Sequence, residues 1–125
     1  MRYTLLLHYE ESDADSIGQD AVDDGQRAFA AYADVLHRAG ILVAAEVLEP
    51  SSMTTTLTTV DGTLRVQDGP YADTKEQLGG TFVIEVPDLD AALAWAGQAP
   101  PVQWGAVETR PGATYTVDGV WVPNT

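Results

Sequence analysis

The stretch VQDGPYADTKEQLGGTFVIEV, residues 66–86, decides how the sheet of this protein is built. A β-rich segment ends at an Asp-Gly-Pro triplet, a polar segment follows, and strand chemistry resumes after Gly79-Gly80. The triplet must turn the chain, because proline lacks a backbone N–H and has a fixed φ while glycine tolerates a positive φ. The stretch therefore predicts a strand, a turn with a polar loop, and a second strand.

Asp68, Gly69 and Pro70 are predicted to have a structural role in this turn. The Asp68 carboxylate is expected to accept hydrogen bonds from the amides of Tyr71 or Ala72 and thereby to lock the turn. A carboxylate held in this way would be mainly architectural.

The polar loop after the turn has two interpretations. Asp73, Lys75 and Glu76 bring acids and an amine together where they could line a pocket mouth, and the two glycines that follow would let backbone approach a ligand closely. Tyr71, Lys75 and Glu76 then bind the ligand, and Asp73 is a candidate for moving a proton. The alternative is a solvated turn with a local ion pair and a β-bulge, because loop charges usually have no chemical role.

Regular elements are predicted on both sides of the stretch. Helical spacing of apolar residues, acids at the start, His37 in the last turn and Gly40 after it predict a helix over 20–39. Asp88 is expected to cap a second helix over 89–96. Asp-Gly pairs at 61–62 and 118–119 are hairpin signals. The predicted strands are 2–9, 41–48, 53–60, 63–67, 81–86, 105–110 and the two arms of 115–122.

The order of these elements indicates an α+β fold with a ferredoxin-like antiparallel sheet and two helices on one face. Residues 1–125 are predicted to form one domain, with a core over about 1–111 and a C-terminal β-hairpin extension over 112–125. The other face of the sheet must meet water or another subunit, and the segment at 41–45 is too apolar for water. We therefore expect a homodimer that stacks sheet on sheet.

The composition excludes several classes of function. Six Lys and Arg against 19 Asp and Glu give a net charge of −13, which disfavours nucleic acid and anionic membranes as partners. No cysteine occurs and only His8 and His37 offer nitrogen ligands, so neither a metal site nor another cofactor is expected. No apolar run is long enough to span a membrane and no signal peptide is recognisable, so a cytoplasmic protein is expected.

Three candidate residues lie outside the loop. His8 ends the first strand on the face opposite to Leu5 and Leu7, where it is either a general base or a hydrogen-bonded core or interface residue. Trp104 could wall a cavity or contact a second subunit. Arg110 could bind a substrate carboxylate or pair with one of the many acids.

The chain resembles the DGPF branch of the YCII-related family over about residues 1–111. The resemblance implies a ferredoxin-like subunit of a dimeric α/β barrel, found mostly in bacteria and without a defined biochemical role in most cases. It also implies a sigma factor as a candidate partner, because members are often encoded beside extracytoplasmic-function sigma factors. The matching motifs are MRYTLLLHY at 1–9, RAGIL at 38–42, DGPYADTKEQLGG at 68–80, PDLDAALAWA at 87–96 and VETRP at 107–111.

The chain departs from the family pattern at a few positions. Tyr71 stands where Phe is usual, Asp73 where Glu is usual, and Thr109 where Val is usual, and none of these breaks the pattern. Classical YCII proteins are thought to use a histidine early in the first helix with an aspartate partner. The first helix here has no histidine before His37, so that acid–base pair is not carried over to this chain.

Three classes of function stay open at this point. One is an accessory or regulatory protein, linked to a sigma factor, that binds a small molecule in a barrel or loop pocket. Another is a cofactor-free isomerase, lyase or cyclase for a small polar or aromatic metabolite, in which His8 or a loop carboxylate moves a proton and Arg110 holds the substrate. The third is a structural dimer without a site. A sensing pocket and a catalytic pocket use the same residue types, so the sequence does not rank the first two.

Overall fold

Helices and strands follow one another in the predicted order. The computed structural model of the protein describes residues 1–125, apart from the side chain of Ala14. The helices are α1 (Ala14–Ile17), α2 (Gln19–Arg38) and α3 (Leu89–Ala96). The strands are β1 (Arg2–Glu10), β2 (Leu42–Val47), β3 (Thr55–Val60), β4 (Thr63–Asp68), β5 (Glu76–Glu85), β6 (Ala106–Pro111), β7 (Thr114–Val117) and β8 (Val120–Pro123).

Antiparallel pairing builds a four-stranded central sheet in the order β2-β5-β1-β6. Leu5 and Leu7 of β1 are 0% exposed and share one core cluster with Leu36 of α2 and Ala92 of α3. Each buried leucine stabilises the fold by about 1.5–3 kcal/mol relative to an exposed one. The predicted α+β class, with a ferredoxin-like sheet and two helices packed on one face, is confirmed. The strands described for the single chain do not close a barrel.

Helix α2 ends as its sequence predicts. Gly40 has a φ of 75°, and its amide donates to the carbonyl of His37 at 2.9 Å. The amide of Ile41 donates to the carbonyl of Leu36 at 3.2 Å, which completes a Schellman motif. The segment before α2 differs from expectation, because the polar connection contains the short helix α1.

Helix α3 is held at its start and against α2. The Asp88 carboxylate accepts a hydrogen bond from the amide of Ala91 at 2.9 Å, so the predicted N-cap is formed. The Tyr32 hydroxyl of α2 donates to the carbonyl of Trp95 at 2.8 Å. Burial raises the pKa of Tyr32 to about 12. The tyrosine therefore joins the two helices as a neutral donor.

Strand β5 begins earlier than predicted, at Glu76, and contains a β-bulge. Leu7 pairs with Gly80 and His8 pairs with Leu78, which leaves Gly79 as the extra residue. A Cβ on Gly79 would collide with the ring of Tyr9, whose hydroxyl donates to the Gly79 carbonyl at 3.2 Å. Tyr9 and strand β2 fill the space beside these two glycines, and the β-bulge of the alternative interpretation is formed.

Two hairpins stand apart from the central sheet, β3–β4 and β7–β8. Both turns have positive φ angles at the Asp and the Gly, as in type I′ turns: 50° and 77° at 61–62, and 49° and 79° at 118–119. Asn124, just after β8, is 7% exposed and joins the second hairpin to the sheet. Trp121 is 70% exposed, so the hairpin does not place this tryptophan against the core of its own subunit.

Candidate functional site

The second face of the central sheet, opposite to the helical layer, carries a histidine–carboxylate pair. Leu6 lies opposite Glu108 and His8 lies opposite Ala106, so His8 and Glu108 are diagonal neighbours on one face of β1 and β6. The Nε2 atom of His8 is 2.6 Å from Oε1 of Glu108. The face predicted for His8 is the one it occupies.

Gly105 allows β6 to approach β1 closely at this pair. A Cβ on Gly105 would collide with the carbonyl oxygen of His8 and lie 3.0 Å from the Cβ of Tyr9. Glu108 was not singled out from the sequence, although it stands in the VETRP motif. Glu108 could have been recognised from its position in the predicted sheet. Side chains alternate between the two faces of a strand, so every second residue of the last core strand shares the face of His8.

The arrangement of the pair suits proton transfer. A proton on Nε2 of His8 is hydrogen-bonded to the Glu108 carboxylate, which leaves Nδ1 as the proton acceptor. His8 is half-buried and Glu108 is exposed, so the pair is accessible from the second face of the sheet, the open face that no helix covers.

His8 also forms part of the wall of a pocket of about 580 Å³. The pocket lies where the ends of β1 and β5 meet the β2–β3 connection and the turn after β4. Most of the surface area that lines the pocket is apolar, although about half of the lining residues carry a polar or charged group. The lining residues are His8, Leu48, Glu49, Pro50, Ser51, Met53, Thr54, Thr56, Pro70, Tyr71, Ala72, Thr74, Glu76, Gln77 and Leu78.

Hydrogen bonds hold the walls of this pocket in place. The Glu11 carboxylate accepts from the amide of Ser51 at 2.5 Å and from its hydroxyl, which fixes the β2–β3 connection near the end of β1. The Gln77 side-chain amide donates to the carbonyls of Ala72 and Thr74 at 3.0 and 3.1 Å, which folds the loop back onto the start of β5. The pocket is therefore bordered by two tethered segments.

The Asp-Gly-Pro turn is held differently from the prediction. The Asp68 carboxylate accepts no hydrogen bond from a backbone amide of the described residues, so the expected lock on Tyr71 or Ala72 is not formed. Asp68 instead ends β4 opposite Thr55, and the amide of Gly69 donates to the Thr54 carbonyl at 2.7 Å. The pairing of β4 with β3 therefore continues as far as Gly69, and the chain turns after it.

The structure brings only some of the predicted site residues together. Tyr71 and Glu76 line the pocket with His8, whereas Asp73 and Lys75 do not. Among the ion pairs of the described residues, none involves Lys75, so the local ion pair of the alternative interpretation is not formed.

Arg110 and Trp104 lie away from the pocket. Arg110 lies opposite Thr4, on the sheet face that the helices leave open. It is four residues along β6 from Ala106, which pairs with His8, and four strand residues span about 13 Å. Trp104 lies edge-on to Tyr9, with ring centroids 5.1 Å apart, and lines a separate groove of about 460 Å³ beside α2. The arginine therefore has no direct reach to a molecule at His8 within one subunit.

The described part of the chain lacks two other features, a metal-binding cluster and a membrane-spanning helix. It contains no group of three or more His, Cys, Asp or Glu side chains that could hold a metal ion. Among its helices, none combines the length and the apolar character needed to cross a membrane.

Comparison with known proteins identifies the family. The family model of the YCII-related domain matches residues 1–112. The chain belongs to the YCII-related family. This YCII-related protein is 34% identical over 118 residues to an uncharacterized protein of Rhizobium meliloti (strain 1021), a match that covers 92% of this chain and 94% of that protein. The family predicted from the motifs is confirmed.

The histidine at the pocket of this YCII-related chain lies on the first strand. Helix α2 has no histidine before His37, which is exposed in the last turn. The histidine that contacts a carboxylate in this structure is His8, which pairs with Glu108 across β1 and β6.

Proposed function

We propose that this YCII-related protein binds a small molecule in the pocket beside His8 and transfers a proton to or from it without a cofactor. The observation that supports the proposal is the contact of 2.6 Å between His8 and Glu108 at the wall of that pocket. The reaction class is that of an isomerase, lyase or cyclase, because these reactions need a proton moved and no electron acceptor.

His8 acts as the general base in this proposal. The imidazole takes a proton from a carbon or oxygen of the substrate, and Glu108 stabilises the resulting imidazolium through the hydrogen bond that it already accepts. The proton then returns to another atom of the substrate in an isomerisation, or to the leaving group in an elimination.

A proton-exchange experiment tests this proposal. Small aryl and alkyl ketones are incubated with the protein in D₂O, and loss of the proton signal next to the carbonyl is followed by NMR. His8→Gln should reduce the protein-dependent exchange by at least about 100-fold, the usual contribution of a general base. Glu108→Gln should reduce the exchange by about 10-fold or more, because the imidazolium loses its charged partner.

Glu46→Gln is the matched control, because Glu46 is an exposed carboxylate on the same sheet face, opposite Thr81, and does not line the pocket. Its exchange rate should equal that of the unaltered protein. Exchange that survives in His8→Gln would contradict the proposal. Binding without exchange would favour the accessory or regulatory role, with the sigma-factor partner that the family resemblance implies.

We also infer that the working form is a cytoplasmic homodimer of single-domain subunits, with the open sheet faces stacked. Its support is the apolar surface that one subunit leaves exposed. Leu57, Leu64 and Val66 project from one face of the β3–β4 hairpin and are 62–63% exposed. A lone two-stranded hairpin is marginally stable in water, so a partner surface would stabilise it.

A further inference from the structure

We propose that the pocket beside His8 selects a small organic cation, an ammonium group carried on an apolar body. The proposal rests on the proposed function for the location of the site, but it does not require that a proton be transferred. It is carried by the charges and the shape of the pocket.

The charged groups of the pocket wall favour a cation. Glu49 and Glu76 are both exposed members of the lining, and their carboxylates form no ion pair with the described residues. Within the described part of the chain, no Lys or Arg lines the pocket. The single histidine of the lining already contacts a third carboxylate, that of Glu108. An anionic ligand would meet like charges without a compensating cation.

No lysine or arginine of the described residues contributes to the pocket wall, although Lys75 stands between the lining residues Thr74 and Glu76. Arg27 pairs with Asp24 and Arg38 pairs with Asp34 on the surface of α2. The other four do not line the pocket either: Arg2, Arg65, Lys75 and Arg110. The net charge of −13 adds a negative field that attracts a cation from a distance.

The rest of the pocket fits an apolar body and an ammonium head. Leu48, Met53 and Leu78 supply apolar walls, and removal of apolar ligand surface from water drives binding. The Tyr71 ring is 86% exposed at the rim, where it can lie against a cation. Aromatic and carboxylate groups at the rim of an apolar pocket are the groups that recognise an organic ammonium.

Three ligands of similar size and different charge test the inference: 2-phenylethylammonium, neutral 2-phenylethanol and anionic 3-phenylpropionate. Dissociation constants are measured by NMR titration at pH 7 and low salt. We expect the ammonium to bind about 10-fold more tightly than the alcohol and the carboxylate to bind most weakly. The preference for the ammonium should shrink as salt is added, because salt screens exposed charges.

Two further variants locate the preference. The double variant Glu49→Gln with Glu76→Gln should bind the ammonium and the alcohol equally well. Asp118→Asn, in the β7–β8 turn far along the chain from the pocket lining, should keep the preference, and Asn tolerates the positive φ there. Equal binding of ammonium and carboxylate, no binding of the ammonium at millimolar concentration, or an unchanged preference in the double variant would overturn the inference.

The His8→Gln variant separates this inference from the proposed function. It should lose proton exchange and keep the preference for the ammonium. A protein that prefers the ammonium but shows no His8-dependent exchange would leave the ligand class standing and overturn the proton transfer. A protein that exchanges protons through His8 but prefers the carboxylate would overturn the ligand class alone.

Discussion

Gly105 is the residue that sets the distance between β6 and β1 beside the histidine. The carbonyl oxygen of His8 and the Cβ of Tyr9 occupy the space that a side chain at residue 105 would need. Backbone atoms cannot move aside as a flexible side chain can, so even a methyl group must push the two strands apart. A residue without a side chain therefore allows the chain just before β6 to approach the backbone of β1 beside His8.

Gly105→Ala should therefore destabilise the protein by about 1–3 kcal/mol, the usual cost of overpacking. The free energy of unfolding is measured by urea denaturation. Gly25→Ala is the control, because Gly25 lies inside α2 and a Cβ added there would have nothing within 4 Å. That change should stabilise the protein by about 0.5–1 kcal/mol. A Gly105→Ala protein as stable as the original would show that the strands do not need this close approach.

At the scale of elements, the C-terminal hairpin is joined to the sheet by a polar side chain. The Asn124 carboxamide oxygen accepts from the amide of Arg2 at 2.8 Å, and its nitrogen donates to the carbonyls of Arg2 and Gly112 at 2.9 and 2.7 Å. The Arg2 guanidinium also lies 3.7 Å from the centre of the Tyr115 ring. These contacts attach β7–β8 to the first strand of the sheet.

Asn124→Ala should lower the free energy of unfolding by about 2 kcal/mol, because backbone groups of Arg2 and Gly112 lose their partners where water has limited access. The change is measured by thermal and urea denaturation. The neighbouring Thr125 is exposed, so Thr125→Ala should change stability by less than about 0.5 kcal/mol. Equal stability of the two variants would mean that the hairpin is held by other contacts.

At the scale of the whole molecule, the two faces of the central sheet have different surroundings. The helices cover one face of the central sheet, and the other face carries half-buried Leu6 together with Thr81 and Val83. In a stacked dimer a second copy would cover that open face, and the pocket beside His8 would lie at the edge of the covered region.

Leu6→Lys should shift the proposed dimer toward the monomer, because an isologous interface would bury two added ammonium groups, and their loss of hydration costs free energy even with Glu108 opposite each of them. Analytical ultracentrifugation over a range of concentrations measures the association. Leu93→Lys is the matched control: Leu93 is 50% exposed on α3, in the helical layer, and gives the same change in charge. It should leave the dimer intact. A monomer in the unaltered protein would overturn the stacked dimer.

Predictions from the sequence succeeded where the deciding contacts are local. The Asp-Gly hairpins, the αL glycine at residue 40 and the cap at Asp88 depend on backbone conformation within a few residues, so the residue types themselves indicate them. The alternation of polar and apolar residues in β1 was likewise enough to place His8 opposite to the core.

Tertiary structure decided the features that depend on the register between distant segments. The Glu108 partner of His8 is 100 residues away, and only the pairing of β1 with β6 puts the two side chains on one diagonal. The Asp-Gly-Pro turn is held by the pairing of β3 with β4, which Gly69 continues, and not by the Asp68 carboxylate. The side chain of Tyr9 occupies the space beside the bulge at Gly79. Register depends on the packing of the whole sheet, and no short segment carries that information.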